Sequence, residues 1–181
     1  MDKKMLVVVD YQKDFVDGAL GFEGAEKLDI GIHNKIREYM DRGDYVVYTK
    51  DTHYKNYLDT REGKELPVEH CIEKTDGHNL YGKVASINKE EYGNKFNINK
   101  ETFGAYIEGG RIKEAILESK EIELVGVVTN MCVISNAIIL QSHNVEAQII
   151  VDASLCGSFN RELHEKALDV MEGLQIKVIN R

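Results

Sequence analysis

Long apolar runs are missing from this sequence: no stretch approaches the roughly 20 residues that cross a bilayer. A basic cluster is missing too. Lys and Arg number 23 against 31 Asp and Glu, a net charge of −8, which disfavours nucleic acid and anionic membrane surfaces as partners. The three cysteines, Cys71, Cys132 and Cys156, are odd in number and widely spaced. That argues against a disulfide framework and for free thiols in a reducing cytoplasm. Internal repeats, linkers and low-complexity segments are absent, and the only proline is Pro67. The start, Met1 to Asp10, holds a short apolar stretch that ends in an acid, which reads as a strand and not as a signal peptide. What is present is 181 residues with 43% apolar and 30% charged side chains. This is the balance of one soluble domain, 1–181, able to bury roughly 70% of its unfolded surface without disulfides or a partner.

Four apolar segments rich in Val and Ile read as buried parallel strands: Met5–Val9, Tyr45–Thr49, Ile122–Val128 and Ala147–Val151. Lys95–Ile98 is a weaker strand, and Gln175–Ile179 reads as the last. Helical periodicity fills the gaps. Leu28, Ile32, Ile36, Tyr39 and Met40 share one face, with Gly43 as the stop. Ile112, Ala115 and Ile116 mark a second helix, Val133, Ala137 and Leu140 a third, and Leu163, Ala167, Val170, Met171 and Leu174 a fourth. Strand alternating with helix predicts an α/β fold: a doubly wound, mainly parallel six-stranded sheet with helices on both faces, Rossmann-like and three-layered. Ligands in such sheets bind beyond the carboxyl ends of the strands. One stretch breaks the rhythm: residues 51–81 are polar, lack apolar periodicity and hold three of the six His. A long loop of this kind is usually functional.

The residues just after strands carry the candidate chemistry. Asp10 reads either as a turn former or as a carboxylate at the active edge of the sheet. Asp51 and His53 point the same way from an extended segment, and Glu62 and His70 follow in the same loop. Two imidazoles with one or two carboxylates suit Zn²⁺, Mn²⁺ or Fe²⁺, while a solvated polar loop is the plainer alternative. Cys132 follows the strand Ile122–Val128, with Thr129 or Asn130 as a helix N-cap. The first helical turn lowers a thiol pKa, although a buried small apolar role is common for a free Cys. Lys100 after the third strand reads as surface charge unless the sheet brings it to Asp10 and Cys132.

Taken in order, the motifs resemble a known family. Asp10-x-x-x-Asp14-Phe15, Asp51-x-His53, His70-Cys71-x-x-x-Thr75-x-Gly77, Lys100 ahead of Phe103-Gly104-Ala105-Tyr106, and Gly126-Val127-x-Thr129-Asn130-x-Cys132-Val133 are similar to those of the isochorismatase-like cysteine hydrolases, and among them the bacterial nicotinamidases. The likeness runs from Leu6 to about Ile179. It implies an Asp10–Lys100–Cys132 triad that hydrolyses an amide, nicotinamide to nicotinate and ammonia, through a thioester on Cys132. It implies one divalent metal on Asp51, His53 and His70, with Glu62 matching a fourth ligand. It implies a cis Val127–Val128 peptide that aims the Val128 and Cys132 amides at an oxyanion, and Phe15 and Tyr106 stacked on a flat substrate ring. It further implies a cytoplasmic enzyme of NAD salvage that forms homo-oligomers. Departures touch the pocket more than the triad. Leu66 stands near a usual pocket aromatic, Val68-Glu69 replaces a Pro before His70, Gly104 replaces a frequent Ser and Asn130 a frequent Asp. They keep open a relative acting on another small amide or carbamoyl compound. Isochorismate cleavage fits poorly, because the ether-cleaving members lack the nucleophilic Cys. A non-enzymatic flavodoxin-like binding protein would need a Gly-, Ser- and Thr-rich loop after the first strand, where this chain has Asp10-Tyr-Gln-Lys-Asp14.

Overall fold

The computed structural model describes residues 3–181. Its six strands are β1 (Lys3–Val9), β2 (Tyr45–Asp51), β3 (Lys95–Lys100), β4 (Ser119–Val127), β5 (Gln148–Gly157) and β6 (Lys177–Ile179). They form one sheet in the order β3-β2-β1-β4-β5-β6, and every neighbouring pair is parallel. The helices are α1 (Lys13–Val16), α2 (Leu28–Asp41), α3 (Arg61–Glu65), α4 (Gly82–Asn88), α5 (Gly110–Glu118), α6 (Ile134–His143) and α7 (Arg161–Gly173).

Side-chain alternation on β1 shows how the layers arise. Met5, Val7 and Val9 face Ala115 and Ile116 of α5, Ala137 and Leu140 of α6, and Leu168 and Met171 of α7. Leu6 and Val8 face the other way, toward Ile32, Ile36 and Tyr39 of α2 and Val84 and Ile87 of α4. Both faces of the central strand are therefore dry, which is why its sequence is continuously apolar. Glu123 is the exception inside β4. It is 6% exposed and is compensated by Lys35 at 2.8 Å and the Tyr39 hydroxyl at 2.6 Å, as a buried charge requires.

Several expected boundaries move. The last strand begins at Lys177, because the Gln175 and Ile176 amides still bond the Glu172 and Met171 carbonyls at the end of α7. β5 runs on to Gly157 through a register shift against β4. The stretch 51–81 is not structureless. Thr60 caps α3 by accepting from the Gly63 amide at 3.0 Å, and the His53 amide bonds the Cys71 carbonyl at 3.0 Å, folding the loop back on itself. Gly63 lies in α3, and its lack of a Cβ lets the Tyr57 carbonyl approach: an added Cβ would lie 2.0 Å from that oxygen.

The strand order reverses between β1 and β4. Their carboxyl ends, with those of β2 and β3 beside them, form the crevice where doubly wound sheets bind ligands. Gly126, the residue of β4 opposite Val9, has a φ of 116°, and a Cβ there would lie 2.2 Å from the Val9 carbonyl oxygen. Gly126→Ala should destabilise the fold by about 2–4 kcal/mol through this clash and the left-handed backbone. Denaturant unfolding measures this directly, and an unchanged midpoint would contradict the reading of β1–β4 contact.

Candidate active site

Asp10 leaves β1 with a φ of 45°, a conformation short polar side chains tolerate. The turn-forming reading of Asp10 holds, and it is compatible with a carboxylate at this edge of the sheet. The bend is held from β2: the Asp10 amide donates to the Thr49 carbonyl at 3.2 Å, and the Thr49 hydroxyl donates to Asp10 Oδ1 at 2.7 Å. Lys100, last residue of β3, reaches Asp10 Oδ2 at 2.6 Å, Asp51 Oδ1 at 3.3 Å and Cys132 Sγ at 3.5 Å. Asp10 is fully buried, and Lys100 and Cys132 are each 4% exposed. Lys100 is therefore not surface charge. The sheet brings the three expected residues, far apart in sequence, into bonding contact.

Electrostatics follow from this packing. Burial works against the Lys100 cation, but Asp10, Cys132 and Asp51 around it outweigh that and raise its pKa. Burial pushes Asp10 upward against the pull of Lys100. Asp51 is also penalised by burial, yet hydrogen bonds from His53 and His70, with the Lys100 charge, hold it well below the usual carboxylate range. Cys132 departs from expectation. Burial first, and then the Asp10 carboxylate, push its thiol well above the ordinary value despite Lys100. A helix start therefore does not lower the Cys132 thiol here: burial and the neighbouring Asp10 carboxylate work against it.

The N-cap expectation also fails. Residues Thr129–Val133 form a π-helical turn leading into α6, and the residue before it is Val128, with no side-chain cap. Thr129 and Asn130 are spent elsewhere. The Thr129 hydroxyl donates to the Gly157 carbonyl at 3.0 Å and pairs with His164 Nδ1 at 2.8 Å, while Asn130 Oδ1 accepts from the Ser158 hydroxyl at 2.6 Å. These bonds tie the turn to the end of β5 and to α7. The Val127–Val128 peptide is cis, and the Met131 and Val133 amides both bond the Val128 carbonyl, at 3.0 and 3.2 Å.

Beside the triad lies a group with the donor atoms of a metal centre. One ligand atom each from Asp51, His53 and His70 falls within 4.8 Å of the others, and all three residues are buried. Asp51 Oδ2 is 3.0 Å from His53 Nε2 and 3.4 Å from His70 Nε2. His70 donates from Nδ1 to the Val68 carbonyl at 2.8 Å, so that a neutral ring which gave up its bond to Asp51 would offer the Nε2 lone pair to a cation. An ionised carboxylate and two imidazoles aimed at one point fit a divalent cation. Glu62 stands slightly outside, with Oε1 3.8 Å from His53 Nε2. His78, the third His of the loop, bonds Thr52 at 2.9 Å instead.

A cavity of about 350 Å³ opens against this group, lined by His53, Tyr57, Arg61, Glu62, Glu101 and Phe103 among others. Phe15 packs its ring edge-to-face on His70 at 5.6 Å. Tyr106 does not stack there. It is 81% exposed, because the chain after Lys100 turns Phe103 to the cavity and leaves Tyr106 in solvent. Leu66 gives its carbonyl to the Tyr57 hydroxyl at 3.0 Å, so the aromatic wall at this place is Tyr57. Two residues that support the site carried only weak sequence signals. Gln12 accepts from the Asp51 amide at 2.7 Å and donates to the Asp51 carbonyl at 2.9 Å. Asp14 accepts from the Cys71 amide at 2.7 Å, next to His70. Both lie inside the motif that follows β1, with Gln12 buried and Asp14 half-buried.

The isochorismatase domain model matches residues 4–181. The chain is 32% identical over 173 residues to the uncharacterised isochorismatase family protein PncA of Bacillus subtilis, covering 92% of each chain. The crystal structure of nicotinamidase/pyrazinamidase PncA from Bacillus subtilis superposes with a TM-score of 0.85 at 28% identity, over 97% of this chain and 98% of that one. Pyrazinamidase/nicotinamidase from Streptococcus mutans gives a TM-score of 0.84 at 28% identity, over 98% and 100%. With a family model spanning nearly its whole length, this chain belongs to the isochorismatase family and shares its fold with the nicotinamidases on which it superposes.

Proposed function

We propose that this chain, as a single catalytic domain, is a metal-dependent cysteine amidohydrolase converting nicotinamide to nicotinate and ammonia. The observation that carries the reading is the Lys100 ammonium, in contact with Asp10, Cys132 and Asp51 at once. It joins a nucleophile and base to the Asp51–His53–His70 group.

The residues divide the work as follows. Cys132 Sγ attacks the amide carbonyl carbon while Asp10 takes the thiol proton. The Val128 and Cys132 amides are assigned to the oxyanion that develops. The C–N bond then breaks, Asp10 returns the proton to the departing nitrogen, ammonia leaves, and a thioester remains on Cys132. Asp10 next takes a proton from water as its oxygen attacks the thioester carbon, and the Cys132 sulfur leaves and is reprotonated. Lys100 stays charged throughout and stabilises the ionised partner of the Asp10–Cys132 couple. A divalent ion held by Asp51, His53 and His70, with Glu62 directly or through water, supplies a Lewis-acid position for a lone pair of the substrate when bound. Tyr57 and Phe103 of the cavity wall, with Phe15 behind His70, are assigned to confine a flat ring.

A second reading, hydrolysis of another small amide or carbamoyl compound, is favoured by the charged part of the cavity wall: Arg61, Glu62 and Glu101. The flavodoxin-like reading is disfavoured by the buried Asp10–Lys100 pair at the first strand end, where a phosphate would meet a carboxylate. The proposal includes cytoplasmic NAD salvage, supported by three free thiols, and a homo-oligomeric assembly. No helix among the described residues is long and apolar enough to cross a membrane.

Ammonia release from nicotinamide and from a panel of small amides, with and without chelator, decides between the two substrates. Cys132→Ala should lose essentially all turnover while remaining folded, and substantial residual activity would remove the covalent step. His53→Ala should fall from about one bound Zn²⁺ or Mn²⁺ per chain to well below stoichiometric, measured by elemental analysis. Equal metal content in variant and parent would defeat the metal assignment.

A further inference from the structure

Lys100 and Cys132 reach the site on different supports. Lys100 ends β3 opposite Asp51, and its carbonyl accepts from the Thr52 amide at 2.8 Å. Cys132 rides on the turn that opens α6. After Lys100 the chain has no regular secondary structure over residues 101–109, yet it carries Phe103, a wall of the cavity. Nothing in the sheet itself sets the distance between this loop and the nucleophile turn.

Asn136 joins the two. It lies four residues after Cys132 on α6 and is 2% exposed. Its Oδ1 accepts from the Ala105 amide at 2.9 Å, and its Nδ2 donates to the Phe103 carbonyl at 3.1 Å and to the Cys132 carbonyl at 2.8 Å. One N–H and two carbonyls as partners admit a single orientation of the amide. Gly104, between the two loop partners, is pressed onto the same helix: a Cβ there would lie 2.2 Å from Ile139 Cδ1. Asn is a poor residue for a helix interior, because its side chain competes for backbone groups. Here it bonds backbone groups that α6 itself does not contain, those of the loop.

We propose that Asn136 is a positioning residue for the hydrolysis. Its amide locks the loop that follows Lys100 to the turn that bears Cys132, and so sets both the Cys132–Lys100 separation and the place of the Phe103 wall. It touches no reacting atom. The kinetic consequence rests on the amidase reading above, whereas the geometric one does not.

Two variants separate this role from a merely structural one. Asn136→Leu fills the space and removes all three bonds. Asn136→Ser can still bond the Cys132 carbonyl one turn back but loses both loop bonds, and it decides the matter if the Leu protein does not fold. With the zinc-loaded full chain and nicotinamide, kcat/KM should fall about 10²-fold, mostly in kcat, as expected for a misplacement near 1 Å, while zinc stays stoichiometric. A crystal structure of the variant should show a longer Sγ–Nζ distance and a displaced Phe103. A lower melting temperature with kcat and KM unchanged per folded chain would overturn the proposal. If the parent protein releases no ammonia from nicotinamide, the amidase reading fails by itself. The positioning role is then read from the rate of iodoacetamide reaction at Cys132 and from the same crystal structure. Unchanged rate and unchanged separation refute it, and altered values sustain it.

Discussion

The ammonium of Lys100, 4% exposed and in contact with Asp10, Asp51 and Cys132, is the constraint around which the site is arranged. An ion moved from water to such a place costs several kcal/mol unless it is paired, so the two carboxylates are as much a condition for burying Lys100 as parts of a mechanism. Their shares are unequal. Asp10 pairs closely at 2.6 Å, and Asp51 stands at 3.3 Å with its other oxygen turned to His53 and His70. Asp51, held well below the usual carboxylate range, keeps negative charge in a dry place. A cation among Asp51, His53 and His70 would balance it, which is a physical reason for the metal-like group to lie directly against the triad.

The sheet makes this convergence reproducible. Asp51 and Lys100 are register partners across β2 and β3, and Thr49 of β2 clamps the bend at Asp10. β1 and β4 meet at the reversal of strand order, with Gly126 allowing the close approach. Four strand ends are thereby fixed relative to one another by backbone hydrogen bonds and a core dry on both faces. The irregular segments are attached secondarily. Gln12 and Asp14 fasten the strand end and loop that carry Asp51 and His70, and Thr129, Asn130 and Asn136 fasten the turn that carries Cys132. A rigid sheet with small polar clamps thus holds the buried group of Asp10, Lys100 and Cys132, while Phe103 of the cavity wall sits on an irregular loop.

The resting state of the nucleophile follows from the same burial. A helix-start argument alone lowers a thiol pKa, but Cys132 is desolvated and faces a carboxylate, and these effects raise it. In the proposed mechanism, proton transfer to Asp10 is then part of the reaction and not a preliminary equilibrium with solvent. Cys71 and Cys156, also buried and pushed upward by burial, have no cation in bonding contact comparable to Lys100.

Much of the architecture was legible from residue order because the signals were local. Val- and Ile-rich runs alternating with 3.6-residue periodicity can only be covered strands and amphipathic helices, and residues that follow covered parallel strands share one edge. Hence the six strands and the long helices could be read before any coordinates, whereas Lys100 and Cys132 each had a plainer local reading that only the family resemblance set aside. The pocket could not. Whether Phe103 or Tyr106 faces the cavity depends on one irregular loop whose path is set by Asn136 and by the contact of Gly104 with α6. Whether Thr129 caps a helix depends on His164 and Gly157, which are distant in sequence. The thiol's upward shift depends on burial that no spacing rule contains. Sequence periodicity determined which elements form and which ends carry chemistry, since both follow from short-range pattern. Tertiary packing alone decided which side chains meet in the cavity and what charge state each holds, since both depend on contacts between residues tens of positions apart.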